Sequence, residues 1–455
     1  MALILYLVMA EIPLYGVGTG GWDLTYLRVI FASHRGTLME LGIGPIVTAG
    51  IILQLLVGAG IIGCDMSNPD DRALFTTASK VFSIIMTGVQ ASAYLIGGVY
   101  TQTTTTAEGT TVTVPLAAGT MLIIFAELLF TGIIVMMLDE LVQKGWGIGS
   151  GISLFIMAGV AQQIFWESFA PYMVAENYTY GAIVASIQAI ARGSPLNLFV
   201  RGGGYPTMLG FLTTIVVFII VIYIEGVRVE LPIAHAQYRG FRGRYPIKLL
   251  YVSNLPVIFA SALFANVYFI SQLLWSTAGQ PTPETAPFLL NILGQYNVIP
   301  STTGGQSQIV PVGGLAYFMT APRDITNVVA DPLRAIGFTG IMIAFCIVFS
   351  MTWLEVGGLG PSTVAKQLVD SGMQLPGFRR SGKPIEMVLK RYIPTVTILG
   401  GFIVGLIAAV SDFFGVFGSG MGVLLSVGIL YQYYQLLMQE RAAEMYPALR
   451  SFFGG

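Results

Sequence analysis

The sequence predicts an all-α polytopic membrane protein of ten transmembrane helices, arranged as two pseudo-symmetric inverted halves with a re-entrant helix after the first span. Three observations carry this. Hydrophobic residues make up 55% of the 455 and charged residues only 10%, with a mean hydropathy of +0.75; too little polar surface remains to cover a soluble globule of this size. Apolar runs of about 20 residues, the length that crosses a bilayer, recur ten times. Two segment pairs echo across the chain: GIGPIVTAGII around Pro45 against SNLPVIFASAL around Pro256, and GSGISLFI from Gly149 against GSGMGVLLS from Gly418.

The spans fall near 1–20, 43–63, 74–100, 117–138 and 150–175, then 207–228, 248–275, 333–356, 392–411 and 417–438. The echoes are offset by 211 (256 − 45) and 269 (418 − 149) residues, and the 58-residue difference matches an insertion the size of the 276–332 loop. An N-terminal half over 1–175, an external connection over 176–206 and a C-terminal half over 207–455 follow. Five spans per half give the halves opposite topology, as in inverted-repeat transporters. Met1 opens directly on an apolar run, so no basic leader of a cleavable signal is expected.

Between the first two spans, Trp22 to Leu41 carries Asp23, Arg28, His34, Arg35 and Glu40. Each charge at bilayer depth costs roughly 2.5 to 3.5 kcal/mol. The segment therefore re-enters to cap a water-accessible cavity, where irregular backbone is tolerated, or lies on the surface as an amphipathic helix. Orientation follows from Lys and Arg. Placing 63–73, 139–149, 227–247, 357–391 and the C-terminus on one side, with the short basic flanks of the adjoining spans that hold Lys80 and Lys248, collects sixteen basic residues against six, which makes that side cytoplasmic. The Thr-rich 101–113 loop and the 276–332 loop then lie outside.

Enzymatic chemistry finds little to work with. His34 and His235 are the two histidines, and neither has a partner at ligand or triad spacing. Gly382-Lys383-Pro384 lacks the upstream glycine of a phosphate-binding loop. Cys64 and Cys346 read as two unpaired apolar thiols. Acidic residues do fall on or beside spans: Glu127, Glu225, Glu355 and Asp412. Glu127 reads either as a proton- or sodium-coupling group or as a carboxylate hydrogen-bonded inside the bundle. The pairs Ile43/Val47 and Ile152/Ile156 share a helix face by their i,i+4 spacing. They serve either as a water-excluding constriction or as ordinary lipid-facing or core positions.

RGTLMELGIGPIVTAGIILQLL (35–56), DRALF (71–75), LDELVQKGWGIGSGISLFI (138–156), RVELPIAHAQYRGFRGRYPIKLLYVSNLPVIFASALFAN (228–266), KRYIP (390–394) and GSGMGVLLSVGILYQYY (418–434) together resemble the SecY/Sec61 alpha family of protein-conducting channels. The wording is closer to the archaeal and eukaryotic branch than to the bacterial one. The resemblance implies a clamshell hinged externally between spans five and six and opening to lipid between spans two and seven, and a passive channel rather than an enzyme, without cofactor. It implies a pore ring at Ile43, Val47, Ile152, Ile156, Ile258 and Leu425, with the re-entrant segment as a plug.

It further implies polar gate residues Thr48, Gln90 and Asn266, and gating charges Arg28, Arg35 and Glu355. Ribosome docking falls on Arg239, Arg242, Arg244, Arg379 and Arg380, on loops suited to reaching RNA phosphates. Implied partners are SecE/Sec61 gamma-like and Sec beta-like small subunits, the ribosome, a nascent polypeptide with its signal sequence, and the lipid bilayer of an archaeal plasma membrane or endoplasmic reticulum. The chain departs from the family pattern by beginning inside the first span and by carrying Ala260 at a gate position that is polar in some relatives. Glu127 and the 276–332 loop receive no role. The rival class is an ion- or proton-coupled secondary transporter.

Overall fold

Each expected span carries a helix, and local chemistry sets where it starts and stops. The computed structural model describes residues 2–17, 36–58, 60–64, 68–97, 100–105, 111–145, 151–173, 178–193, 199, 201, 205–235, 242–252, 255–279, 281, 287–299, 308–371, 373–374 and 382–445. Helix α1 (Ala2–Glu11) stops well before residue 20, because Pro13 drives the residue before it out of helical backbone. Pro13 instead bridges antiparallel to Thr37, with the Leu14 N–H donating to the Gly36 carbonyl at 2.8 Å and the Leu38 N–H donating to that of Ile12 at 2.9 Å. The expected re-entrant helix at 22–41 lies, through residue 35, outside the described residues. Residues 36–43 form turns leading into α2 (Gly44–Gly58).

Helix α3 (Pro69–Ile96) has a built start: the Asn68 side chain accepts the Asp70 N–H at 3.2 Å, Pro69 takes the first position, and Asp70 and Asp71 occupy the first turn, each favouring a helix N-terminus. A hairpin, β1 (Thr101–Thr105) with β2 (Thr111–Pro115), leads to α4 (Ala118–Glu140), which runs into a π-helical turn over Leu141–Gly145. Helix α5 (Gly151–Phe169) ends where Ala170 precedes Pro171. After α6 (Ala182–Ala191), α7 (Met208–Gly226) starts with the Thr207 hydroxyl accepting the Gly210 N–H at 3.2 Å.

The second half continues with a hairpin of β3 (Arg228–His235) and β4 (Arg242–Lys248), and then α8 (Leu255–Thr277). The long loop that follows contains α9 (Phe288–Leu293), the hairpin β5 (Gln295–Ile299) and β6 (Gln308–Gly313), and the short α10 (Gly314–Met319) and α11 (Ile325–Ala330). Helix α12 (Pro332–Val356) is capped by Asp331. The chain closes with α13 (Pro361–Asp370), β7 (Met373–Gln374), α14 (Gly382–Phe413) and α15 (Gly420–Met445).

Eight helices among the described residues are long and apolar enough to cross a membrane: α3, α4, α5, α7, α8, α12, α14 and α15. The shorter apolar α1 and α2 occupy the other two expected spans. Fifteen residues of α2 reach about 22 Å, short of a core of about 30 Å. Helix α8 is central, with 61% of its apolar window buried against 28–50% in the other seven; protein wraps it while the rest show a face to lipid. Helices α12 and α14 pack closely, because Gly401 and Gly405 lie against Cys346, Ser350 and Ile343, the small-residue spacing that lets membrane helices approach.

The expected loops proved more structured than hydropathy reveals. Strand β7 pairs with β3, His235 against Met373 and Ala234 against Gln374, so the 227–247 and 357–391 connections share one three-stranded sheet. Helix α14 begins at Gly382, ten residues before the expected span, and Ile385 and Leu389 on this extension, with Ile393 just inside the span, bury in a second apolar cluster with Ile247, Leu354 and Leu368. The Tyr251 hydroxyl donates to the Leu359 carbonyl at 3.1 Å, and burial raises its pKa, keeping it a donor. Cys64 and Cys346 are both free.

Candidate functional site

A cavity of about 540 Å³ enters the bundle from the end that carries the three-stranded sheet, walled by α2, α3, α4, α5, α8 and α12. Its polar side is supplied by Lys80, Asp139, Glu140, Gln143 and Lys144. Lys80 and Lys144 both reach Glu140, at 2.8 and 2.6 Å. Such half-exposed pairs contribute little to stability, but they keep the entrance charged and wet. Its apolar lining includes four of the six ring positions: Val47, Ile152, Ile156 and Ile258.

The other two lie in the same hydrophobic cluster, Ile43 fully buried and Leu425 4% exposed. Ile43, Ile156 and Leu425 are buried members of that core, and Val47, Ile152 and Ile258 are partly buried against it. They are therefore interior, and the lipid-facing reading of the aliphatic pairs does not apply. Ile43 differs in detail from the expectation of a mid-helix pair: it sits in the turn before α2, its carbonyl accepting the N–H groups of Ile46 and Val47 at 3.1 Å. Branched aliphatic side chains offer water no hydrogen bonds, so a narrow waist of them gates by dewetting.

The three polar gate residues converge on one atom. The Thr48 hydroxyl of α2 accepts from the Gln90 amide of α3 at 3.4 Å and from the Asn266 amide of α8 at 3.2 Å. The Asn266 amide also donates to the Ala262 carbonyl at 2.7 Å. Thr48 is buried, and interhelical hydrogen bonds in membrane proteins contribute about 0.6 kcal/mol each. Sequence reasoning missed two further links along this α3–α8 seam: Tyr94 stacks on Phe269 at 4.6 Å, and the Ser276 hydroxyl donates to the Gly97 carbonyl at 3.1 Å. Ala260 is fully buried and contributes no polar group.

Among the expected charges, Glu355 is exposed near the end of α12. Arg28, Arg35, Arg239, Arg379 and Arg380 lie outside the described residues. Arg242 opens β4, and Arg244 donates to Glu230 across the hairpin at 2.6 Å; that carboxylate raises its pKa. Glu127 accepts the Tyr15 N–H at 3.1 Å, just beyond the end of α1. This is a hydrogen bond of the kind the second reading of Glu127 expects.

The SecY family profile matches residues 37–434, and the profile for the plug domain of Sec61p matches residues 4–36. The protein translocase subunit SecY of Pyrococcus furiosus is 42% identical over 465 aligned residues, covering 100% of this chain and 92% of the relative. A solved structure described as a protein conducting channel superposes with a TM-score of 0.78 at 38% identity, covering 98% of this chain and 92% of the other. Sec61 in the canine ribosome-channel complex from the endoplasmic reticulum superposes with a TM-score of 0.76 at 37% identity, again covering 98% and 92%. The chain belongs to the SecY family.

Proposed function

We propose that the six aliphatic side chains Ile43, Val47, Ile152, Ile156, Ile258 and Leu425 form the seal through which this chain passes unfolded secretory polypeptides. As a family member the chain is an integral multi-pass membrane protein, the pore-forming subunit of the protein translocase and not an enzyme, and the secondary-transporter reading finds no support. The observation that carries the seal is that Val47, Ile152, Ile156 and Ile258, from α2, α5 and α8, line one cavity whose entrance is charged, with Ile43 and Leu425 buried in the core against which they pack. A ring without specific bonds fits around any threading chain, and stays dry to ions at rest.

The Thr48, Gln90 and Asn266 cluster acts as the latch of a lateral gate between α2 and α8, which a sufficiently apolar signal sequence opens by partitioning into the gap. In this reading the sheet-bearing end is cytoplasmic, residues 1–175 and 207–455 are the two halves, and the 176–206 segment hinges them. Arg239, Arg242, Arg244, Arg379 and Arg380 dock ribosomal RNA. The canine relative's presence in a ribosome-channel complex supports this partner; SecE/Sec61 gamma-like and Sec beta-like subunits complete the assembly. The experiment is conductance: Val47→Asp or Ile152→Asp in the reconstituted translocase raises the resting ion leak, and unchanged conductance removes these residues from the pore.

A further inference from the structure

The two halves share a device that their sequence echo does not contain. Helices α5 and α15 each begin at the third residue of the Gly-Ser-Gly echo, Gly151 and Gly420. A ring residue follows five positions later on each, Ile156 (156 − 151) and Leu425 (425 − 420), about 7.5 Å along the axis. What fixes the first turn of each helix therefore fixes the height of its ring side chain.

That first turn is held by an aspartate from the preceding span. In the N-terminal half, Asp139 of α4 accepts the Ile152 N–H at 2.9 Å, while its second oxygen takes the Gln143 amide at 2.8 Å. In the C-terminal half, buried Asp412 of α14 accepts the Gly420 N–H at 2.7 Å. Both glycines are pressed flush against the capping span. A Cβ on Gly151 would stand 2.8 Å from the Asp139 Cα, and one on Gly420 would stand 2.7 Å from the Ala408 carbonyl oxygen.

Asp139 precedes its glycine by 12 residues (151 − 139) and Asp412 by eight (420 − 412), so an ungapped alignment of the Gly-Ser-Gly echo does not pair them. A helix N-terminus leaves several N–H groups without partners, and a carboxylate there satisfies them with favourable charge. Across spans, the same bond locks one helix to its neighbour.

We propose that Asp139 and Asp412 are pseudo-equivalent positioning residues, one per half, which set the height of Ile156 and Leu425 in the pore ring by pinning the first turns of α5 and α15. This rests on the ring assignment above. Glu167 of α5 adds a link between halves by accepting the Gly418 N–H at 3.2 Å, just ahead of the second cap.

The test uses the full translocase in liposomes, in a background with Cys64 and Cys346 replaced by serine, and reads thiol-labelling rates at Ile156→Cys and Leu425→Cys. Asp139→Ala should change labelling at position 156 about fivefold, the factor expected for losing a cap, and leave 425 near its starting rate. Asp412→Ala should do the converse, and the Asn variants, which keep an accepting oxygen, should restore both rates. Unaltered labelling in the alanine variants overturns the proposal, as does an Asn variant as perturbed as its alanine counterpart. Should an alanine variant fail to insert, the Asn comparison alone decides in the same sense. Failure of the ring assignment reads out separately, as labelling that a trapped translocating polypeptide does not block.

Discussion

At the scale of single residues, Thr48 shows how little of the proposed gate is visible along the chain. Its two partners lie 42 and 218 positions away, and no local pattern relates a threonine to amides at those distances. Motif resemblance located all three residues, and geometry revealed that they share one oxygen. Replacing Thr48 by Val removes that acceptor and about 1.2 kcal/mol at ~0.6 per bond, favouring the open gate about sevenfold. The expected outcome is export of proteins with weakly apolar signal sequences that the parent rejects; an unchanged signal threshold would separate Thr48 from gating. Glu127 was legible as a carboxylate inside the bundle, but its partner, the Tyr15 backbone N–H, was not. Glu127→Gln keeps an accepting oxygen and should secrete normally in a pulse-chase assay, whereas coupling to an ion gradient would require the charge.

Hydropathy located each secondary-structure element that spans but not its ends. The Asn68-Pro69-Asp70-Asp71 start of α3 and the Pro171 stop after α5 are local signals that the helices follow, whereas the apolar runs place those ends near 74 and 175. The early end of α1 was missed because the apolar run continues past Pro13 and hydropathy alone does not register the break. The polar start of α14 was missed because it buries one face in a satellite cluster outside the span. Pairing of β7 with β3 joins segments some 140 residues apart (374 − 234), beyond any local period.

This pairing bears on the proposed docking, because it joins strands of both basic connections in one sheet. Reversing Arg239 and Arg379 to Glu should weaken ribosome binding and flatten the slope of log affinity against log salt by about one unit for each phosphate left without its cation. Identical affinity at low salt would contradict the assignment. Met373→Pro removes the strand's donor and should lower ribosome affinity with little change in salt slope, since every arginine remains available to its phosphate.

On the scale of the whole molecule, a central buried helix, a charged entrance and an aliphatic waist fit a conduit that supplies no energy of its own. Composition and span count made the membrane class legible. The placement of the proposed waist was not, because aliphatic pairs at helical spacing read the same in a pore, in a core or against lipid. What separates these is burial together with exposure to a shared cavity, a property of the assembled bundle.

The most direct measurement is crosslinking of a stalled nascent chain to single cysteines at Ile152 and Leu425, with Ile219, which is 61% exposed on α7, as the outward control. Crosslinks from one nascent-chain window to both ring positions, and none to 219, are predicted. Absence of crosslinks at the ring, or equal crosslinking at 219, would contradict the account.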